Sequence, residues 1–286
     1  MARVIRADLH NHLATHSPEF TLREVADIVR KKLGAGGMIA VVNFKTEQGN
    51  DENAWNYENL IKRNGLYAIK STGDAVYDSN RDVTIVKAQE IPVDRGDHSF
   101  AHLLAIGISK GDSVKPWQSV EDTLADIKEN YHAIVVVPHP FASNGLGDYL
   151  DEHPDLLGYI DAIETHSSGA ALFFGANLKA RVLHDSVKRD FPIASIKSSD
   201  GHSLSEIGRS YIEIPEPEIE EGLGLTDELS KNLMDQIGCG KSGNSYWPTI
   251  KHLATLAPIE VKELLTGKYD QTFTKEFVDK LRGKKK

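Results

Sequence analysis

The sequence predicts an α/β fold, a barrel of alternating strands and helices, on three observations. Short, continuously apolar runs recur along the chain, as strands buried on both faces require. Stretches with helical apolar spacing separate them. The chain has 286 residues, 40% hydrophobic and 26% charged, which is ordinary globular composition at a length that α/β barrels fill as one domain. An open doubly wound sheet is the alternative. In either case active groups belong at the carboxyl ends of the strands.

The elements follow in order. Val4-Ile5 opens a first strand that ends at His12. Thr21, with Glu24 three residues on, is a capping box for a helix over 21–33, which Gly34, Gly36 and Gly37 stop. Met38-Ile39-Ala40-Val41-Val42 is a buried strand. Residues 51–64 read as a helix, and 68–77 stay ambiguous between strand and helix. Residues 83–93 and 101–109 are strands joined by a loop short enough for antiparallel neighbours. A helix over 119–131 precedes the strand 133–137, which ends in Pro138-His139-Pro140. A short helical or looped connection (149–159), a strand (161–166), a helix (177–189), a strand (192–196) and a last strand (210–214) follow. That is βα repeated about seven times. Residues 1–215 form the predicted barrel domain. Residues 216–286 form a mostly helical C-terminal segment that packs on or extends it, with helices over 227–236 and 259–265 and a solvated tail, 282–286.

Charge and composition exclude several classes. A net charge of −9 disfavours sequence-independent adhesion to nucleic acid or anionic membrane, though it leaves room for a local basic groove. The N-terminus has no long apolar run, and no run is long enough to span a bilayer. One cysteine, Cys239, rules out an internal disulfide framework and fits a reducing, cytoplasmic setting. The Gly-Lys-Ser at 240–242 is no P-loop, because Asp235 stands where its first glycine should be and no strand precedes it.

The chemistry sits at strand ends. His10 and His12 are two apart, so strand alternation puts them on one face, near enough to hold one metal ion. Glu90, His102, His139, Asp200 and His202 also fall at or near strand ends. Each alone has an ordinary explanation: a core histidine at His102, an ion-paired carboxylate at Glu90, a strand stop at His139. Together on one rim they make the N/O donor set of a first-row metal site, without thiolate. A carboxylate such as Glu90 bridges two ions ~3.5–4 Å apart in such sites, which activate water and clamp a displacement at phosphorus.

The runs Ala7-Asp8-Leu9-His10-Asn11-His12, Gln89-Glu90, Ala101-His102-Leu103-Leu104, Val137-Pro138-His139-Pro140 and Ser199-Asp200-Gly201-His202-Ser203 resemble, in order and spacing, the successive motifs of the PHP (polymerase and histidinol phosphatase) family. Ile207-Gly208-Arg209-Ser210-Tyr211 resembles the run that follows the last motif. The resemblance spans 1–215. It implies a distorted, TIM-like (β/α)7 barrel and a two- or three-metal phosphoesterase site. Carried across, His10, His12, Glu90 and Asp200 surround one metal; Glu90, His102 and His139 hold the second; His202 serves a third.

One departure is informative. Family members have Thr-Asp-His at the end of the second strand, and here the histidine position is Phe44. Phenylalanine cannot ligate, so the third site keeps only His16, which is offset from its family counterpart, and His202. The expectation is therefore two divalent ions (Zn, Mn or Fe), with any third bound weakly. Lys45 stands either where it replaces the missing positive charge at substrate phosphate or as a solvated loop lysine. Arg209 either contacts phosphate or pairs with Glu206. His166, taken to share a face with Glu164, is either substrate-facing, a support for the ligands, or an ordinary core or surface residue.

The implied activity is hydrolysis of a phosphate ester, foremost a small phosphomonoester such as a nucleotide or an amino-alcohol phosphate. A metal-activated water attacks, and His202 or His16 protonates the leaving alkoxide. The alternatives are an oligonucleotide phosphodiesterase or exonuclease, and a degenerate barrel that binds metal without turnover.

Overall fold

Helix α1 (Leu22–Leu33) shows how local sequence places the first elements. Thr21 Oγ1 accepts from Glu24 N at 3.2 Å while Glu24 Oε2 accepts from Thr21 N at 2.8 Å, so the capping box is closed from both sides. Leu22, Val25, Ala26, Val29 and Leu33 form its buried stripe. Arg30, Lys31 and Lys32 lie in the last turn, where cations favour the helix dipole. The computed structural model describes residues 3–13, 20–45, 55–62, 69–71, 73–96, 99–109, 111–172, 175–217 and 225–235, all within the unit Met1–Trp247. His16, Cys239, the expected helix over 259–265 and the tail 282–286 lie outside them.

The strands are β1 (Val4–Asn11), β2 (Gly37–Phe44), β3 (Ile69–Ser71), β4 (Ala75–Asp78), β5 (Val83–Asp94), β6 (Phe100–Ile106), β7 (Ile134–Val137), β8 (Ala162–Ser167), β9 (Ala194–Ser198) and β10 (Ile212–Pro215). The helices after α1 are α2 (Asn56–Lys62), α3 (Val120–Asp126), α4 (Gly147–Glu152), α5 (Ala176–Val187) and α6 (Leu225–Asp235). The sheet runs β10-β1-β2-β5-β6-β7-β8-β9, with β3 and β4 as a hairpin beside β5. This is a nearly closed, distorted barrel. Within the ambiguous stretch 68–77, the described residues include β3 and most of β4, which are strands.

Apart from the β3–β4 hairpin, the regular βα alternation breaks in two places along the described sheet. β6 pairs antiparallel with both β5 and β7, so its N-terminal end lies at the rim where its neighbours' C-terminal ends lie. β10 pairs antiparallel with the first half of β1, Val4 to Ala7. Beyond Ala7 the loop after β9 takes over: Asn11 bridges to Gly201, and His12 N donates to Gly201 O at 2.7 Å. The closure thus lays the residues around 200 against His10 and His12.

Small and branched side chains fill the barrel, among them Ala7, Leu9, Ala40, Val42, Ala88, Val136 and Ile196, and α6 adds Leu225, Leu229 and Leu233 to the same core. Asp74 caps α6 from a distance, accepting from Leu225 N (3.2 Å), Thr226 N (3.0 Å) and Thr226 Oγ1 (2.5 Å). The seat is close. Gly107 stands at φ +89°, and a Cβ there would meet Thr226 Oγ1 at 2.0 Å. Asp74→Ala should cost about 0.5–2 kcal/mol and lower the unfolding midpoint by roughly 1–8 °C. Differential scanning calorimetry of the full chain reads this, and an unchanged midpoint would mean that the cap does not hold α6. No helix among the described residues is long and apolar enough to cross a membrane.

Candidate metal centre

β1 delivers the first two histidines by breaking its own alternation. Ala7 and Leu9 both face the barrel core, so His10 should face outward. The pairing of β1 with β2 shifts between Asp8 and Asn11, and this bulge turns His10 inward as well. Bulges re-aim side chains next to active sites in this way. His10 Nε2 and His12 Nε2 lie 3.1 Å apart. Asp200 Oδ1 is 3.6 Å from the first and 3.7 Å from the second.

Glu90, on the inward face of β5, joins the rest. Its Oε2 is 3.1 Å from His12 Nε2. Its Oε1 is 2.9 Å from His102 Nδ1, 3.0 Å from His139 Nε2 and 3.8 Å from His10 Nε2. Among the described residues, two sets of donors come within reach of one ion each: His10, His12 and Asp200, and His10, Glu90 and His139. His10 thus stands in both sets, whereas the expected allotment gives it to the first metal alone. His102 sits on Glu90 and also meets Asn144 Nδ2 at 3.0 Å.

The donors fit divalent cations. They are imidazole nitrogens and carboxylate oxygens, nearly all buried, and two imidazole nitrogens face each other at hydrogen-bond distance. His139 Nδ1 is buried with no hydrogen-bond partner. Burial would depress the His10 imidazole, but Asp200, Glu164 and Glu90 outweigh it and push the pKa up to about 10. Burial would raise the carboxylates; instead His10, His202 and His139 hold Asp200, and His102 and His12 hold Glu90, well below the usual range. The pocket is built to hold positive charge. His139 (φ +29°) and Asp200 (φ +47°) also have backbones in the left-handed region. Such strain costs ~1–3 kcal/mol per residue and gathers at functional sites.

Buried supports aim these donors. Glu164 is fully buried. It accepts from His10 Nδ1 at 3.2 Å, from His139 N at 2.7 Å and from Ser198 Oγ, leaving His10 Nε2 for the metal side. Asp8 accepts from Ser199 N (2.9 Å) and Gly208 N (2.7 Å), and Lys32 Nζ donates to Ser205 O (2.6 Å) and Ile207 O (2.9 Å). Both tie down the loop that carries Asp200 and His202. Burial pushes the Asp8 carboxyl up to about 6 despite those bonds.

The remaining candidates lie as follows. The His202 ring stacks on His12 at 4.7 Å between centroids, and its Nδ1 meets Asp200 O at 3.1 Å. Phe44 stands beside the donors, its ring centroid 6.1 Å from that of His12 and 5.4 Å from that of His102. Lys45 Nζ lies 5.9 Å from the Trp55 ring centroid. Arg209 pairs with Glu206 at 2.9 Å. His166 needs correction. A register shift in β8 between Glu164 and His166 pairs His166 with Lys197, the residue after inward-facing Ile196. His166 therefore shares the outer face with Lys197, facing away from Glu164 and the donors. Asn144 and Lys32 escaped the sequence reading. Each acts through contacts far apart in sequence, and no local pattern marks them.

A barrel with this rim has the fold of the PHP-like metal-dependent phosphoesterases. Three solved structures share it. PsfC from Pseudomonas syringae is 14% identical with a TM-score of 0.53, over 92% of this chain and 99% of its own. A two-domain protein from Bacteroides vulgatus containing a predicted PHP-like metal-dependent phosphoesterase is 15% identical with a TM-score of 0.52, over 81% of this chain and 64% of its own. The lesion-specific endonuclease EndoQ from Pyrococcus furiosus is 15% identical with a TM-score of 0.51, over 84% of this chain and 58% of its own. The chain thus spans less than two thirds of the latter two. No family model matches the chain, and no curated protein matches its sequence.

Proposed function

We propose that the chain is a metal-dependent phosphoesterase that hydrolyses a small phosphomonoester at a two-metal centre. The observation that carries this is Glu90. One buried carboxylate meets His12 through Oε2 and both His102 and His139 through Oε1, the arrangement of a bridge between two cation positions. His10, His12, Glu90 and Asp200 would hold one ion, and Glu90, His102 and His139 the other. When bound, such ions acidify a water and neutralise charge on the phosphoryl oxygens. The chain's own residues do the rest. Glu164, Asp8 and Lys32 fix the donors' positions. His202 Nδ1 donates to Asp200 O, which leaves Nε2 as the ring atom that carries a second proton to the departing alkoxide.

Element-resolved metal analysis together with turnover of a monoester panel under Mn²⁺, Zn²⁺ or Fe²⁺ tests this. Two ions per chain and monoester turnover are expected. Turnover of an oligonucleotide without monoester turnover would overturn the substrate class. Turnover of no phosphate ester with any of the ions would overturn the enzyme. Phe44→His should raise the metal count from two toward three, because it restores an imidazole beside His12. A count that stays at two would show that Phe44 is not what limits the centre.

A further inference from the structure

The geometry points to a substrate whose leaving alcohol carries a nucleobase, stacked on an aromatic step that rises from the metal centre through Phe100 and Trp117. This deepens the phosphomonoester reading and rests on it. Phe100 and Trp117 are 44% and 39% exposed, unlike the many large apolar side chains buried in the core. They continue the site. The ring centroid of Phe44 is 5.4 Å from that of His102, His102 is 5.7 Å from Phe100, and Phe100 is 5.6 Å from Trp117. β6 runs against its neighbours, and that reversal puts Phe100 at the rim, two residues before His102 on the same face. The Phe100–Trp117 contact is edge-on, at 65°, so one ring meets the other only by its edge, and the edge-on ring keeps its π surface for a third ring.

Trp117 is presented there at some cost. Its φ is +64°, a region bulky side chains avoid. It is held there by its N–H on Pro92 O at 2.7 Å, while Asp94 N donates to the neighbouring Gln118 O at 2.9 Å. Backbone strain at a rim residue with an exposed ring is the pattern of a residue kept for contact. Phe100 stands one ring from His102, so an alcohol directed to that side of the donors meets the step. A purine or pyrimidine offers the flat π face that stacks on such rings whatever its edge groups. The net charge of −9 favours a single nucleotide over a polyanionic strand.

The test uses the metal-loaded full chain and two inert ligands, the phosphonate analogues of AMP and of ribose 5-phosphate, in which a P–C bond replaces the ester. Calorimetry should show the AMP analogue binding about 5- to 150-fold tighter, the range one stacked base supplies. In Phe100→Ala, and in Phe100→Leu, which keeps bulk and loses the π face, that ratio should collapse toward one. Equal affinities in the natural protein, or a ratio unmoved by both variants, would overturn the inference. So would Phe100-dependent binding of an oligonucleotide with no binding of the AMP analogue. The two readings fail separately. A Phe100-dependent preference without AMP turnover sinks the phosphoesterase and leaves the step. Turnover of base-free monoesters as fast as AMP, with no preference, sinks the step and leaves the phosphoesterase.

Discussion

Glu90→Ala should lose metal and turnover together. Among the described residues, Glu90 is the one carboxylate that touches His12, His102 and His139 at 3.1 Å or less. Its removal leaves three imidazoles with no shared anion and opens both cation positions at once. The expected result is a metal content falling from two ions toward zero, with monoester turnover down by at least ~10²-fold, the scale on which a single preorganised electrostatic partner acts. Glu90→Gln separates charge from shape: it fills the same volume and keeps a hydrogen-bonding oxygen but no charge. If charge is what Glu90 supplies, the two variants lose metal alike. Far-ultraviolet circular dichroism should change in neither, since Glu90 is one side chain on a strand whose backbone pairs on both edges. A fully metallated, active Glu90→Ala would sink the two-metal assignment.

The residues of this centre were legible before the fold because each motif lies at a strand end, and buried strands announce themselves as apolar runs. The barrel followed from the same runs. What stayed hidden has one physical cause. The strand period of two holds only while the ladder stays in register, and the register slips twice here. In β1 the slip brings His10 inward beside Leu9, and His12, two residues on, keeps to its face; alternation accounts for that shared face but not for its pointing inward. In β8 a like slip carries His166 outward, away from Glu164, and the same rule failed. A bulge leaves no mark in a run such as Glu164-Thr165-His166. The direction of β6 was open for a similar reason: the short loop before it allowed an antiparallel pair, but only the paired β7 shows that β6 runs against both neighbours. The supports at Asp8, Lys32 and Glu164 join residues more than 150 positions apart, and a linear pattern does not carry such contacts.

The second large effect lies behind the wall of the centre. Lys87 is fully buried on the face of β5 opposite Glu90. Its Nζ meets Glu58 Oε1 at 2.8 Å, Ser109 O at 2.9 Å and Asp112 O at 2.6 Å. Glu58 Oε2 accepts from Asn43 Nδ2 at 2.7 Å, and Asn43 Oδ1 accepts from Tyr57 N at 2.8 Å. This closed polar network pins α2 and the loop near 110 to β2 and β5, and Asn43 is the residue before Phe44. Lys87→Met leaves Glu58 charged, buried and unpaired. Breaking a buried pair from one side costs about 3–5 kcal/mol, so urea unfolding should show a loss of that size. The double variant Glu58→Gln/Lys87→Met should recover much of it, because no charge remains to desolvate. The pH dependence has a definite sign. Burial would raise the Glu58 carboxyl, but its bonds to Lys87 and Asn43 outweigh that and lower it below its ordinary 4.5. A depressed acid stabilises the fold above its unfolded pKa, and that contribution disappears as pH falls through the folded value. The penalty of Lys87→Met should therefore be full at neutral pH and shrink in acid, where Glu58 takes a proton and no longer needs the ammonium. A penalty constant across that range would mean that packing around the lysine stem, and not the ion pair, holds this side of the barrel.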